Sequence, residues 1–260
     1  VRSRQAVADA RRIVVKVGSS SISGANVDQI EPLVAALAAA HARGVEVVLV
    51  SSGAIATGIP YLSLDGRPAD LATQQAAAAV GQNVLMWRYQ TSLGRHEIVA
   101  AQVLLTAGDL ENPTHRSNAQ RAMERLLSLR ILPIVNENDT VATQEIRFGD
   151  NDRLAALVAQ LVRADLLVLL SDVDALYTMP PERPGARSIP VVPFDDDLSG
   201  IVIGDIGAAG VGTGGAGTKI AAAKQSAAAG TPVLFTSAAN VALALSGDDV
   251  GTWFEAAPRA

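Results

Sequence analysis

The sequence predicts an α/β protein built on a mostly parallel sheet with helices on both faces. Short runs of Val, Ile and Leu alternate along the chain with longer Ala- and Leu-rich stretches of helical period. The apolar runs end in small polar or acidic residues, as strands do where an open α/β sheet meets its ligands. The chain of 260 residues is 49% apolar but only 3% aromatic, so its core must be aliphatic.

The first strand is Ile13-Val14-Val15-Lys16-Val17, ending in Gly18-Ser19-Ser20-Ser21. A helix follows over about 28–43 and is stopped by Gly44. A second strand at 45–50 ends in Ser51-Ser52-Gly53-Ala54, and a long helical region spans about 68–93. Next come a strand at 98–105, a helix at about 116–129 and the buried strand Ile131-Leu132-Pro133-Ile134-Val135. Asn136-Glu137-Asn138-Asp139 follows, and 142–148 reads as a short strand or hairpin arm. Gly149-Asp150-Asn151-Asp152 then opens an amphipathic helix running to Leu161. A strand at 165–170 ends in Ser171-Asp172-Val173-Asp174. Residues 178–215, rich in Pro, Gly and Asp, read as loops with a short strand pair. A helix at 218–229, a strand at 231–235, a short helix and a strand at 250–254 close the chain. No repeat or composition break divides it.

A net charge of −5 and the scarcity of aromatics argue against a nucleic-acid partner. With no cysteine and only His41, His96 and His115, disulfides, thiolate sites and histidine metal centres are not expected. The N-terminus carries no signal-peptide pattern, and no apolar run reaches the roughly 18 residues of a membrane span. A soluble cytoplasmic protein is expected.

Lys16 lies inside an apolar strand, where an ammonium is costly unless it meets an anion. The bland alternative is an edge-strand lysine. Gly18 beside it lets a phosphate approach the backbone, and Ser51-Ser52-Gly53-Ala54 repeats the arrangement one β-α unit later. Gly212-Thr213-Gly214-Gly215-Ala216-Gly217-Thr218-Lys219 opens a helix and also suits nucleotide phosphates, although the Walker spacing fails. Residues 210–215 match GxGxxG but follow no clear strand, which speaks against dinucleotide binding. Asp and Asn favour turns and caps, so either acid-amide knot alone would read as structural. Two knots together with the lysines and glycine turns read as a site.

Taken together, Val15-Lys16-Val17-Gly18-Ser19, Val50-Ser51-Ser52-Gly53-Ala54-Ile55-Ala56, Val135-Asn136-Glu137-Asn138-Asp139, Gly149-Asp150-Asn151-Asp152 and the glycine turn to Lys219 resemble the glutamate 5-kinases, a branch of the amino acid kinase family. The motifs occur in the family's order from about residue 12 to 254. The resemblance implies a three-layer α/β/α sandwich with an eight-stranded sheet. It implies MgATP-dependent phosphorylation of the γ-carboxylate of L-glutamate, the first step of proline synthesis. It places the glutamate site in about 1–160 and the nucleotide site in about 161–260. Many bacterial members carry a C-terminal PUA domain, which is not expected within this sequence.

Residue by residue, the resemblance assigns Ser52, Asp139 and Asn151 to glutamate, with Gly53, Ala54 and Asp150 beside them. Lys16 and Lys219 match the phosphate-binding lysines, and Asp152 the carboxylate that orients them. Gly18, Ser171, Asp172, Thr213, Gly214, Gly215, Ala216, Gly217, Thr218 and Lys219 fall to ATP. The magnesium ion is expected on the ATP phosphates rather than on protein ligands. Proline as feedback inhibitor and a homo-oligomer are also implied, without nucleic acid or membrane. Three departures fall on the nucleotide side: Ala175 where glycine is usual, Ala216 where methionine is usual, and Met179-Pro180-Pro181 in place of an Asp-Pro pair. The alternatives are an acetylglutamate, aspartate or uridylate kinase, or a non-catalytic amino-acid or nucleotide sensor on the same fold. Acidic knots suit neither a nucleoside monophosphate nor an acetylated amine, and the retained lysines speak against a sensor.

Overall fold

A computed structural model describes residues 2–64, 66, 68–141, 151–201 and 216–258. Helix α1 (Arg2–Asp9) leads into β1 (Arg12–Lys16), α2 (Ile30–Ala42) and β2 (Glu46–Val50). A short α3 (Ala54–Gly58) and the long α4 (Leu71–Gly94) precede β3 (Ala100–Leu105). Then come α5 (Ala107–Glu111), α6 (Pro113–Ser128), β4 (Leu132–Glu137), α7 (Asn151–Leu161) and β5 (Leu166–Ser171). Three two-residue strands follow, β6 (Leu176–Tyr177), β7 (Ser188–Ile189) and β8 (Val191–Val192). The last elements are α8 (Ala216–Ala228), β9 (Val233–Ser237), α9 (Val241–Ser246) and β10 (Thr252–Phe254).

Eight strands form one sheet in the order β3-β4-β2-β1-β5-β9-β10-β8, and every pairing is parallel except that of β9 with β10. Strands β6 and β7 make a separate antiparallel pair. The expected eight-stranded, mostly parallel sheet is therefore present. Strand β1 lies in its middle, so Lys16 is not an edge lysine. From β1 the chain steps to β2, crosses to the edge at β3, inserts β4 between those two, and then returns to the other side of β1 with β5. That reversal opens a crevice at the carboxyl ends of the central strands.

Alternation along the strands separates two cores. Ile13, Val15, Leu49, Ile134 and Val168 pack under α2, α4 and α9. Val14, Val48, Val50, Leu167 and Phe235 pack under α6, α7 and α8. The result is the three-layer sandwich. Arg12 and Lys16 share the parity of Val14, so both lean toward the second layer. Arg12 is held there by Glu46 at 2.7 Å and by Glu124 of α6 at 2.8 Å.

The structure adds elements that periodicity missed. Helix α5 is a single short turn whose N-cap is a capping box, Thr106 with Asp109. Helix α6 begins at Pro113 rather than near 116, because Asn112 caps the amides of Thr114 and His115. Strand β4 runs on through Asn136 and Glu137, so the first knot starts inside the sheet. The expected hairpin arm at 142–148 lies outside the described residues, as does the glycine turn at 210–215. Of the expected strand pair, β7 joins β6 and β8 joins the main sheet.

Helices α3 and α4 meet through glycines. A Cβ on Gly81 would sit 1.8 Å from the Ala54 carbonyl oxygen, and one on Gly58 would sit 1.9 Å from that of Ala77. Gly94, at the end of the same α4, would meet nothing within 4 Å. Gly81→Ala should therefore destabilise the protein by about 1–3 kcal/mol through overpacking. Gly94→Ala should be neutral or gain up to about 1 kcal/mol from helix propensity. Thermal melting of the two variants checks this opposition in sign.

Candidate active site

Lys16 ends β1, and its parity aims it at α7. Asp152 is the second residue of α7 and has no exposed surface. Its Oδ1 lies 2.5 Å from Lys16 Nζ and its Oδ2 3.0 Å from Lys219 Nζ, on the first turn of α8. Thr218 Oγ1 donates to the same Oδ2 at 3.2 Å. Both lysines are buried as well. Burial, the largest single influence on the Asp152 carboxyl, would raise its pKa. The charges and hydrogen bonds of the two lysines together outweigh it and hold the group below the usual carboxylate range. Two ammoniums converge on this one carboxylate from different elements, an arrangement suited to an anionic ligand.

The two glycine-serine turns touch. Gly53 has φ +91°, and a Cβ there would meet the Cβ of Ser19 at 3.4 Å. Gly18 is in extended conformation, so its backbone does not require glycine. A side chain there would, however, lie 3.9 Å from Lys16 Nζ and narrow the approach to that ammonium. Asp172, just past β5, accepts from Ser20 Oγ at 2.9 and 3.1 Å. This ties the turn after β1 to the end of the neighbouring strand β5. Ser171 is the last residue of β5.

On the other flank, Asn151 opens α7 and is buried. Its Nδ2 lies 2.9 Å from the Ser51 carbonyl oxygen, 2.8 Å from Ser52 Oγ and 2.9 Å from Asn136 Oδ1. Ser52 leads into Gly53 and then Ala54, the first residue of α3. Ser51 Oγ is paired with the hydroxyl of Tyr89 at 2.9 Å, and burial pushes that phenol's pKa well above its ordinary value. Asp139 lies half-buried shortly after β4. Ala216, Gly217, Thr218 and Lys219 form the first turn of α8. Asp150, Thr213, Gly214 and Gly215 lie outside the described residues. Ala175 is buried and its φ is not in the left-handed region, so alanine fits where glycine is usual.

Lys16, Asp152, Lys219 and Thr218 are thus assembled directly, and Ser52 with Asn151 beside them. Sequence reasoning missed Gln82, whose Oε1 accepts from Asn136 Nδ2 at 2.8 Å. The only trace of it in the sequence is a glutamine three residues after an alanine run and next to a glycine.

Asp152 supplies a stability test. A carboxyl whose pKa is lowered by folding stabilises the fold above its unfolded pKa, near 3.9, and that contribution is lost as pH falls through the folded pKa. Asp152→Asn should therefore be less stable at pH 7, by about 3–5 kcal/mol, the scale of removing the charged partner from a buried ion pair. It should also lose less further stability than the parent between pH 6 and pH 3. Melting curves of both proteins across that range check both statements.

Residues 11–237 match the model of the amino acid kinase family. The chain is 74% identical to a glutamate 5-kinase of Clavibacter sepedonicus, over 99% of this chain and 98% of that one. It is 57% identical to a glutamate 5-kinase of Streptomyces coelicolor, over 99% of this chain and 70% of that one. A carbamate kinase from Giardia lamblia bound to AMP-PNP superposes with a TM-score of 0.68 over 96% of this chain and 99% of that one. At 17% identity that likeness concerns the fold alone. On the family match, the sheet topology and the extent of these identities, the chain belongs to the amino acid kinase family.

Proposed function

We propose that this protein transfers the γ-phosphoryl group of ATP to the γ-carboxylate of L-glutamate, giving L-glutamyl 5-phosphate for proline synthesis. The observation that carries this reading is the buried Lys16–Asp152–Lys219 cluster, in a chain nearly three-quarters identical to a glutamate 5-kinase over its length.

The nucleophile is a carboxylate with a reference pKa near 4.3, already ionised at neutral pH, so no general base is needed. The barrier lies in bringing that carboxylate up to a triphosphate, and in the charge that spreads over the transferring group. Lys16 and Lys219, approaching from a central strand and a helix start, neutralise it. Asp152 fixes the direction of both ammoniums by occupying one oxygen with each, and Thr218 holds the second oxygen in place. Because its oxygens are engaged in this way, Asp152 does not fit the role of a metal ligand. Magnesium supplies further charge neutralisation, carried on the ATP phosphates.

The glutamate side lies in about 1–160. There Ser52 and Asn151 offer hydrogen bonds, Gly53 and Ala54 their backbone, and Asp139 with Asp150 a counter-charge to the substrate ammonium. The nucleotide side lies mainly in about 161–260, with Ser171, Asp172 and the run from Thr213 through Gly214, Gly215, Ala216 and Gly217 to Lys219, joined by Lys16 and Gly18 from the turn after β1. An acetylated substrate would leave Asp139 without an ammonium to meet. By the same family reading the enzyme acts in the cytoplasm, as a homo-oligomer, under inhibition by free proline. Among the described residues no helix is long and apolar enough to cross a membrane.

Trapping the product with hydroxylamine should yield γ-glutamyl hydroxamate. Turnover of N-acetylglutamate or UMP with none of glutamate would overturn the reading. Lys16→Ala and Lys219→Ala should each lower kcat by roughly 10²–10³-fold, the scale of losing one preorganised donor. Arginine should rescue either poorly, since its planar fork does not reproduce a compact ammonium. Asp139→Ala should raise the KM for glutamate and leave that for ATP nearly unchanged, measured by steady-state kinetics. Proline should raise the apparent KM for glutamate in the same assay, and light scattering should return a mass above that of one chain.

A further inference from the structure

Beneath the turn after β2 runs a chain of side-chain amides whose polarity is fixed by the backbone. The Glu137 N–H donates to Asn136 Oδ1 at 2.9 Å, so Asn136 Nδ2 must face the other way, toward Gln82 Oε1 at 2.8 Å. At the opposite end the Ser51 carbonyl can only accept, so Asn151 must present Nδ2 to it, at 2.9 Å. The same Nδ2 reaches Asn136 Oδ1 and Ser52 Oγ. An N–H cannot accept and a carbonyl cannot donate, so turning any of the three amides over would set like against like.

Two atoms remain. Gln82 Nε2, a donor, and Asn151 Oδ1, an acceptor, are both buried and have no hydrogen-bond partner among the described residues. Their residues are only 7% and 8% exposed. Such atoms are rare in a native interior, and each calls for an explanation. Gln82 is also held rigidly: Gly81, its neighbour, touches the Ala54 carbonyl, at the start of the helix that follows Ser52 and Gly53. One end of a directed chain thus offers a donor and the other an acceptor, beside the turn assigned to the amino acid. A zwitterionic α-amino acid head carries the complement, a carboxylate that accepts and an ammonium that donates.

We propose that Gln82 is a substrate-binding residue, its Nε2 donating to the α-carboxylate of the amino acid while Asn151 Oδ1 accepts from the α-ammonium. Gln82 thereby sets specificity for a substrate with a free α-carboxylate. This rests on the reading that the pocket takes glutamate.

The test compares glutamate with 4-aminobutyrate, which keeps the ammonium and the reacting carboxylate but lacks the α-carboxylate. The parent enzyme should favour glutamate strongly in kcat/KM. In Gln82→Met, of similar volume but without a donor, that preference should shrink by roughly 10- to 100-fold, the scale of a hydrogen bond to a charged group. The KM for ATP should stay within about twofold of the parent, because the ATP contacts proposed above do not include Gln82. Gln82→Glu separates support from binding, since it keeps an oxygen to accept from Asn136 but loses the donor while ionised. Its KM for glutamate should rise, and should recover as pH is lowered and the new carboxyl takes up a proton. An unchanged substrate preference in Gln82→Met, or a parental glutamate KM in Gln82→Glu, with melting temperatures near the parent's, would overturn the inference. Should Gln82→Met fail to fold, the preference ratio is read in Gln82→Glu with the same two outcomes. A parent enzyme inactive on glutamate would instead defeat the reading of the pocket, so the two failures are distinguishable.

Discussion

A carboxylate with no exposed surface joins β1, α7 and α8, and the geometry of the site depends on it. Taking one anion and two ammoniums out of water is expensive, and replacing such clusters by apolar residues is often neutral or stabilising in other proteins. Stability alone therefore gives a weak reason for this cluster. Its geometry gives a stronger one. Each oxygen of Asp152 meets a different lysine, so one rigid side chain at a helix start fixes two flexible ones. Positive charge is then available at a defined place without the reorganisation that water would require.

Strand parity makes the cluster possible. Lys16 points into the same layer as Val14, and that layer holds α7 and α8. A shift of one residue in the register of β1 would aim Lys16 at the layer of α2 and α4 instead. The opposite end of β1 repeats the logic with Arg12, whose two glutamate partners lie in the same layer or the neighbouring strand. A central strand with a cation at each end is thus anchored at both, and its position relative to α7 is set by ion pairs as well as by aliphatic packing.

Much of this was legible in the sequence for definite reasons. The Lys16 signal was strong because a charge interrupting Ile-Val-Val has few structural explanations, and the central placement of β1 removes the edge-strand one. Asp152 and Asn151 were legible as a helix start following a glycine. What was not legible depends on contacts between distant segments. The α5 capping box is too short for periodicity to register, and Asn136 read as loop because polar residues seldom continue a buried strand. Gln82 read as an ordinary helical glutamine. Its partner lies 54 residues away, and its neighbour Gly81 sits where α4 approaches α3 closely.

The two flanks of the site meet different physical demands with different residue types. On the proposed phosphoryl-transfer side, charge develops and must be opposed, which calls for ammoniums held by a carboxylate. On the proposed amino-acid side the requirement is also direction, because a zwitterionic head group carries its own donor and acceptor beside the ammonium that Asp139 and Asp150 are proposed to oppose. A chain of amides supplies direction without adding net charge beside the cluster. It is also less costly to bury than ions, provided that each member is satisfied. Had the Asn136 and Gln82 positions carried carboxylates, the Asp152 carboxyl would have faced further negative charge nearby, working against the lysines that hold it ionised. Neutral amides at these two positions therefore add direction without adding charge of their own to the lysine–aspartate cluster.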